Sequence, residues 1–224
     1  GPDLNDRVSY EVKRKFTYAL DFKSSEYLTT EWTNDSVSGI KPQTIEFRFR
    51  SPKSKNQVIV ESEDKWAIEL TDNGAVDNLG RVQFSISGSG GSTFITSSLL
   101  PVYNDDMFSV MLTRKSSSGA DLTSDDVSQE ITYELTTRQY DASREVVVYS
   151  NSSSLSTTSN DYNGAFTQSA TLHIGGHDDK FHKTRFSGSL MEFRLWSEPL
   201  SQSVFENHVR APKAYNGNTT SSMY

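Results

Sequence analysis

Phe186-Ser187-Gly188-Ser189-Leu190-Met191-Glu192-Phe193-Arg194-Leu195-Trp196, running on into Ser197-Glu198-Pro199-Leu200-Ser201, is the stretch whose reading decides the fold. Met191, Phe193 and Leu195 share one parity and Glu192, Arg194 and Trp196 the other, the period of two that marks a β-strand. Phe186 and Leu190 have the opposite parity from Phe193, so the apolar set changes face between Leu190 and Phe193. A β-bulge near Met191 reconciles the two halves. Gly188 permits close approach by a neighbouring strand or loop. Glu192 and Arg194 are placed to pair on one strand face, and Pro199 ends the ladder.

The same alternation recurs along the chain. Ile45, Phe47 and Phe49 alternate with Glu46, Arg48 and Arg50; Trp66, Ile68 and Leu70 with Ala67 and Glu69; Val82, Phe84 and Ile86 with Gln83 and Ser85. Phe108, Val110 and Leu112, then Ile131, Tyr133 and Leu135, Val146 and Val148, and Leu172 and Ile174 repeat it. Such short runs, bounded by Gly, Asn, Asp and Ser, predict half-buried antiparallel strands. One helix is signalled: Ser203 followed by Glu206 has capping-box spacing, Val204, Phe205 and Val209 supply an apolar side, and Pro212 stops it. The Ser-, Gly- and Asn-rich connections, among them 85–98 and 151–160, read as turns and surface loops. Segments 114–130 and 151–169 are long enough to be the expected places for binding.

The chain has 224 residues and no cysteine. That length fits one large sandwich domain with its own core. The missing cysteines exclude a disulfide framework and a thiolate metal site. A net charge of −7 argues against a dedicated nucleic-acid binder, and Lys13-Arg14-Lys15 reads as a solvated strand end. No apolar run reaches the length of about 18 residues that suggests a membrane span. Gly1-Pro2 reads as a protease-cleavage scar, 3–210 as the sandwich domain, and 211–224 as a polar tail leading to the rest of a larger parent protein.

Four pieces, Thr44 to Arg50, Asp105 to Leu112, Leu172 to Gly176 and Phe186 to Trp196, stand in the order and spacing of strands in one family. Over residues 16–210 the chain resembles the concanavalin A-like, or laminin G-like, jelly roll, with Phe108 where that family usually has Trp and Ser109 where it has His. The resemblance implies an all-β, antiparallel two-sheet jelly-roll sandwich with one short C-terminal helix, a fold mostly used to bind surfaces. Phe205 to Thr219 resembles a segment that follows such modules in structural proteins of tailed, notably marine, bacteriophages. This second resemblance implies a virion component, such as a tail fibre, baseplate or capsid decoration.

On these grounds the expected function is non-enzymatic attachment through rim loops. The expected partners are a cell-surface glycan or other virion proteins, with no nucleic acid, no membrane insertion and room for a homo-oligomer in the full-length protein. A purely architectural module is the first alternative and a glycoside hydrolase the second. Glycoside hydrolysis needs two carboxylates about 5–10 Å apart. Glu61 and Glu63 have i, i+2 spacing, but with Asp64 and Lys65 they read as a solvated hairpin turn, and an Arg beside Glu192 favours the charged carboxylate, not a general acid. Calcium is the cofactor to consider, because the family binds it at a sandwich rim. Asp105, Asp106, Asp178 and Asp179 are its candidate ligands, ahead of Asp77, Asn78 and Asp161. His177 and His182 suit a transition metal by residue type but read as an exposed loop. For a sugar, the candidate contacts are Trp32, Tyr140, Tyr162, His177 and His182, with Tyr149 also near a strand end. The glycosylation patterns at Asn34, Asn151 and Asn218 are expected by chance in so Ser-rich a chain.

Overall fold

The computed structural model describes residues 19–23, 25–32, 42–52, 55–63, 65–72, 74, 76–116, 130–158, 160–177 and 184–218. In chain order these form β1 (Leu20–Phe22), β2 (Leu28–Trp32), β3 (Thr44–Arg50), β4 (Gln57–Ser62), β5 (Trp66–Asp72), β6 (Gly80–Gly88) and β7 (Gly91–Thr96). There follow β8 (Phe108–Ser116), β9 (Ile131–Asp141), β10 (Val146–Thr157), the helix α1 (Asn160–Thr167), β11 (Ala170–Ile174), β12 (Thr184–Arg185), β13 (Gly188–Trp196) and the helix α2 (Gln202–Arg210). One sheet runs β1-β13-β3-β8-β9-β10 and the other β2-β11-β4-β5-β6-β7. Both are antiparallel apart from the two-residue β12, which lies parallel to β4. The expected two-sheet jelly-roll sandwich is therefore present. No helix among the described residues is long and apolar enough to cross a membrane.

The main core fills the space between the sheets. At its centre Trp32 and Trp66 meet edge to face at 4.9 Å, and Trp66 stacks on Phe166 at 5.4 Å. Phe84 and Tyr133 close the same group of rings. Edge-to-face and offset arrangements of this kind suit the ring quadrupoles.

A second, smaller core lies on the other side of the six-stranded sheet. Met111 and Trp196 point outward there and are covered by Leu200, Phe205 and Val209. The bulge expected near Met191 makes this possible. The β13–β3 register shifts between Met191 and Arg194, and Glu192 takes a positive φ of 53°. Phe186 and Leu190 before the bulge, and Phe193 and Leu195 after it, all face the main core. Met191 departs from the expected grouping: it does not join Phe193 and Leu195 against the main core but lines a cavity with Tyr140 and Val209 beside the outer core.

Charged groups pin α2 in place. Arg194 donates to Glu46 at 2.6 Å and also to Glu192, the expected pair, and to the Pro212 carbonyl. The second oxygen of Glu46 meets His208 Nδ1 at 2.8 Å. Arg48 donates to the carbonyls of His208 and Val209, a cation set against the negative end of the helix dipole. Burial pulls the Arg48 guanidinium down to about 10, against the opposing pull of Glu192 and Glu46, so it stays charged at neutral pH.

Four sequence expectations are corrected here. Segment 151–169 is not a loop: 151–157 continues β10 against β9, and 160–167 is α1, a second helix. Serine and threonine hydroxyls hide the period of two in β10, whose Leu155 still reaches the main core. The span 85–98 is mostly the β6–β7 hairpin, tied to α1 where Asp161 accepts from Ser89 and Gly90. The cap of α2 is Ser201, which accepts from Val204 N at 3.3 Å, while Glu206 turns outward to Arg138 and Arg210. The expected tail is also docked as far as Asn218, whose backbone N–H donates to Glu198 and whose side-chain oxygen accepts from Ser201 N. Most of segment 114–130 lies outside the described residues.

Candidate functional site

Five side chains from four segments meet at one end of the seven-stranded sheet. After β11 the chain turns through Gly175 (φ 99°) and Gly176 (φ 81°), backbone conformations that favour glycine. A Cβ on Gly175 would lie 2.7 Å from the Phe22 ring, and one on Gly176 2.8 Å from the Val58 carbonyl. This tight passage sets His177 against His173 of β11, with ring centroids 4.5 Å apart and planes at 26°. Tyr27, just before β2, packs at right angles to His177 at 5.2 Å and edge-on to His173 at 5.6 Å. The Arg185 guanidinium of β12 lies over the Tyr27 ring at 4.9 Å. Below them the fully buried Glu61 of β4 accepts from the His177 backbone N–H. Tyr27 is the most open of the aromatic members, at 37% exposure. An aromatic face, two imidazoles and a guanidinium gathered at a sheet end offer apolar contact and hydrogen bonding together.

Of the residues singled out in the sequence, His177 is in this cluster. Asp178, Asp179 and His182 lie outside the described residues. Trp32 is corrected to a core residue: it is 2% exposed and its indole N–H donates to the Phe166 carbonyl at 2.6 Å. Tyr162 is partly buried against the main core, on α1. Tyr140 packs on the outer core, with the Arg210 guanidinium 5.7 Å above its ring, and borders a cavity of about 70 Å³ with Met107, Met191 and Val209. Tyr149 is exposed and stacks over Phe108 at 6.4 Å.

Asp105 and Asp106 sit in a tight turn, Asp105 at φ 64°. The Arg50 guanidinium is 3.5 Å from Asp105, and Asp106 accepts from the Asn104 amide at 2.9 Å. A guanidinium already faces the carboxylate that calcium would need. Asp161 is held below the usual carboxylate range, chiefly by the Gly90 N–H and then by Ser89. Among the described residues no three His, Cys, Asp or Glu come together to hold a metal ion. Of the Glu61–Lys65 stretch, Glu63 and Lys65 lie in a turn, while Glu61 and Ser62 belong to β4 and are fully buried.

Sequence reasoning missed Tyr27, His173 and Arg185. The alternation Leu172-His173-Ile174 did place His173 on the outer face. Nothing local announced that Tyr27 and Arg185, 158 positions apart in number, would stack.

Solved structures place the fold. Similar over 79% of this chain is the LG1-3 region of the laminin α2 chain, at 14% identity and a TM-score of 0.51. The fold is that of a laminin G-like jelly roll. The present chain spans 30% of that laminin chain. A heptameric SAP-like pentraxin from Limulus polyphemus is similar over 84% of this chain and 83% of its own, at 10% identity and a TM-score of 0.48. The full-length tailspike protein 2 of Escherichia coli O157:H7 bacteriophage CAB120 is similar over 86% of this chain and 24% of its own, at 10% identity and 0.49. These two lower scores bear on neither fold nor function. No protein-family profile and no curated protein sequence matches the chain.

Proposed function

We propose that this chain is a non-enzymatic binding module that recognises a surface glycan through the rim cluster at Tyr27, His173, His177 and Arg185. The observation that carries the reading is the convergence of these four side chains from three segments on one rim, where Tyr27 is exposed and His173 is buried beneath it. The apolar face of a pyranose packs on an aromatic ring, and its hydroxyls take hydrogen bonds from imidazole and guanidinium groups. The absence of catalysis is part of the proposal. It is supported by the burial of Glu61 and by the engagement of Glu192 with Arg194, which leave neither carboxylate presented to a substrate. The setting in a phage virion rests on the sequence resemblance of Phe205 to Thr219 alone.

A glycan array probed with and without chelator tests the reading. Saturable binding to a defined glycan class that is lost in Tyr27→Ala, with an unchanged melting temperature, is the expected result. Retention of all binding in Tyr27→Ala refutes the rim assignment, and loss only with chelator assigns the contact to a cation instead.

A further inference from the structure

The outer face of the six-stranded sheet holds a feature that the rim reading does not use. Beside the N-terminal turn of α2, an open groove of about 220 Å³ is lined by Lys115, Thr132, Glu134, Ser152, Ser153 and Ser154. Three strands build it. Register sets Lys115 of β8 opposite Thr132 of β9, and Glu134 of β9 opposite Ser154 of β10. The wall strand β10 is the sheet edge, runs for 12 residues and contains no charged side chain.

All of the lining polar side chains but that of Ser154 are already hydrogen-bonded. Glu134 accepts from Ser152 at 2.8 Å, from Gln202 of α2 at 2.9 Å and from Lys115 at 3.1 Å. Gln202 also donates to Thr136 at 2.7 Å, and Thr132 is bonded to Ser156 at 2.7 Å. Ser153 donates to the Thr96 carbonyl at 2.6 Å, which ties the wall to the opposite sheet. Burial works against the Glu134 charge, but the bonds from Ser152, Lys115 and Gln202 outweigh it and hold the carboxyl below its usual range.

A ligand entering this groove meets hydroxyls whose rotamers, that of Ser154 apart, are set, so little ordering entropy is left to lose. It meets an ammonium with three donors, of which the pair with Glu134 uses one, on a side chain 47% exposed. It meets no net charge, since Lys115 and Glu134 neutralise each other. Among the described residues the walls offer no aromatic platform and no apolar floor. We propose that this groove binds an uncharged polyhydroxylated ligand, a neutral saccharide, by hydrogen bonding alone and independently of the rim cluster.

The test is an amide NMR titration of the intact chain with maltotriose, cellotriose and mannotriose, with sialyllactose as a charged comparison. Saturable shifts at Lys115, Glu134, Ser152 and Ser154 with at least one neutral trisaccharide are expected. Ser154→Val and Lys115→Met, both at exposed strand positions, should each weaken that affinity about three- to tenfold, the worth of one or two hydrogen bonds. Tyr27→Ala should leave it unchanged, which separates this site from the rim. Shifts confined to the rim, preference for sialyllactose, or no saturable shift at these four amides with any neutral sugar overturns the proposal. A second variant, Thr132→Val, is read by the same titration if either of the first two lowers the melting temperature.

Discussion

Replacing Gly188 by alanine tests the way β13 is seated. A Cβ there would lie 2.1 Å from the Arg50 carbonyl oxygen and 2.8 Å from the far edge of the Phe186 ring. The ring can turn, but the carbonyl belongs to β3, which is paired with β13 through Ser189 and Arg50. Ordinary contact between such atoms is about 3.5 Å, so relief requires the two strands to part by more than an ångström. Parting them also disturbs the Phe22 pairing that holds the three-residue β1. Overpacking of a closed site costs about 1–3 kcal/mol, and the lost strand pairing puts the expected value at the upper end. For a domain of this size 1 kcal/mol moves the midpoint by about 2–4 °C, so a fall of about 6–12 °C is expected. Gly164 is the internal control: it lies in α1 with nothing within 4 Å of an added Cβ. Gly164→Ala should gain about 0.5–1 kcal/mol through helix propensity. Thermal melts followed by circular dichroism read both. A Gly188→Ala midpoint within about 1 °C of wild type, or a fall in Gly164→Ala equal to that of Gly188→Ala, refutes the close-approach argument.

Two further outcomes follow from the charges around α2. Arg194→Met leaves Glu46, whose side chain is 4% exposed, without the guanidinium it is paired with; a loss of about 3–5 kcal/mol is expected in urea unfolding, and adding Glu46→Leu should restore part of it. Glu134 and Glu206 are both held below the usual range, Glu206 chiefly by its hydrogen bond from Arg210. Their contribution is present above the unfolded-state value and lost as pH falls through the lower folded-state value. Urea midpoints should therefore fall between about pH 5 and pH 3, and the fall should be shallower in Glu134→Gln/Glu206→Gln; an unchanged slope in the double variant would count against the assignment.

Much of the architecture was legible because backbone physics writes itself into parity. The switch of apolar residues between Leu190 and Phe193 located the bulge, and the spacing of Ile45, Phe47 and Phe49 located β3. The failures have a common cause. Serine and threonine fit a strand without contrasting with the polar side of it, so the second half of β10, from Asn151 on, left no apolar trace except Leu155. Trp32 was open to a binding reading because sequence does not report that its N–H is spent on Phe166. The site itself was the least legible part. His177 was visible as a loop histidine, but its partners come from three other segments and are assembled by strand order, a long-range property that no local pattern encodes.

The bulge at Glu192 has a mechanical consequence. It lets one continuous strand contribute to two hydrophobic cores on opposite sides of a sheet, so the outer core with α2 and the inner core between the sheets share a single backbone as a common beam. Deleting one residue between Met191 and Arg194 would not merely shorten the strand. It would exchange the sides to which Phe193, Leu195 and Trp196 are delivered, emptying both cores at once. The outer helix is thereby bound to the register of the sandwich beneath it, and loosening either one is felt by the other.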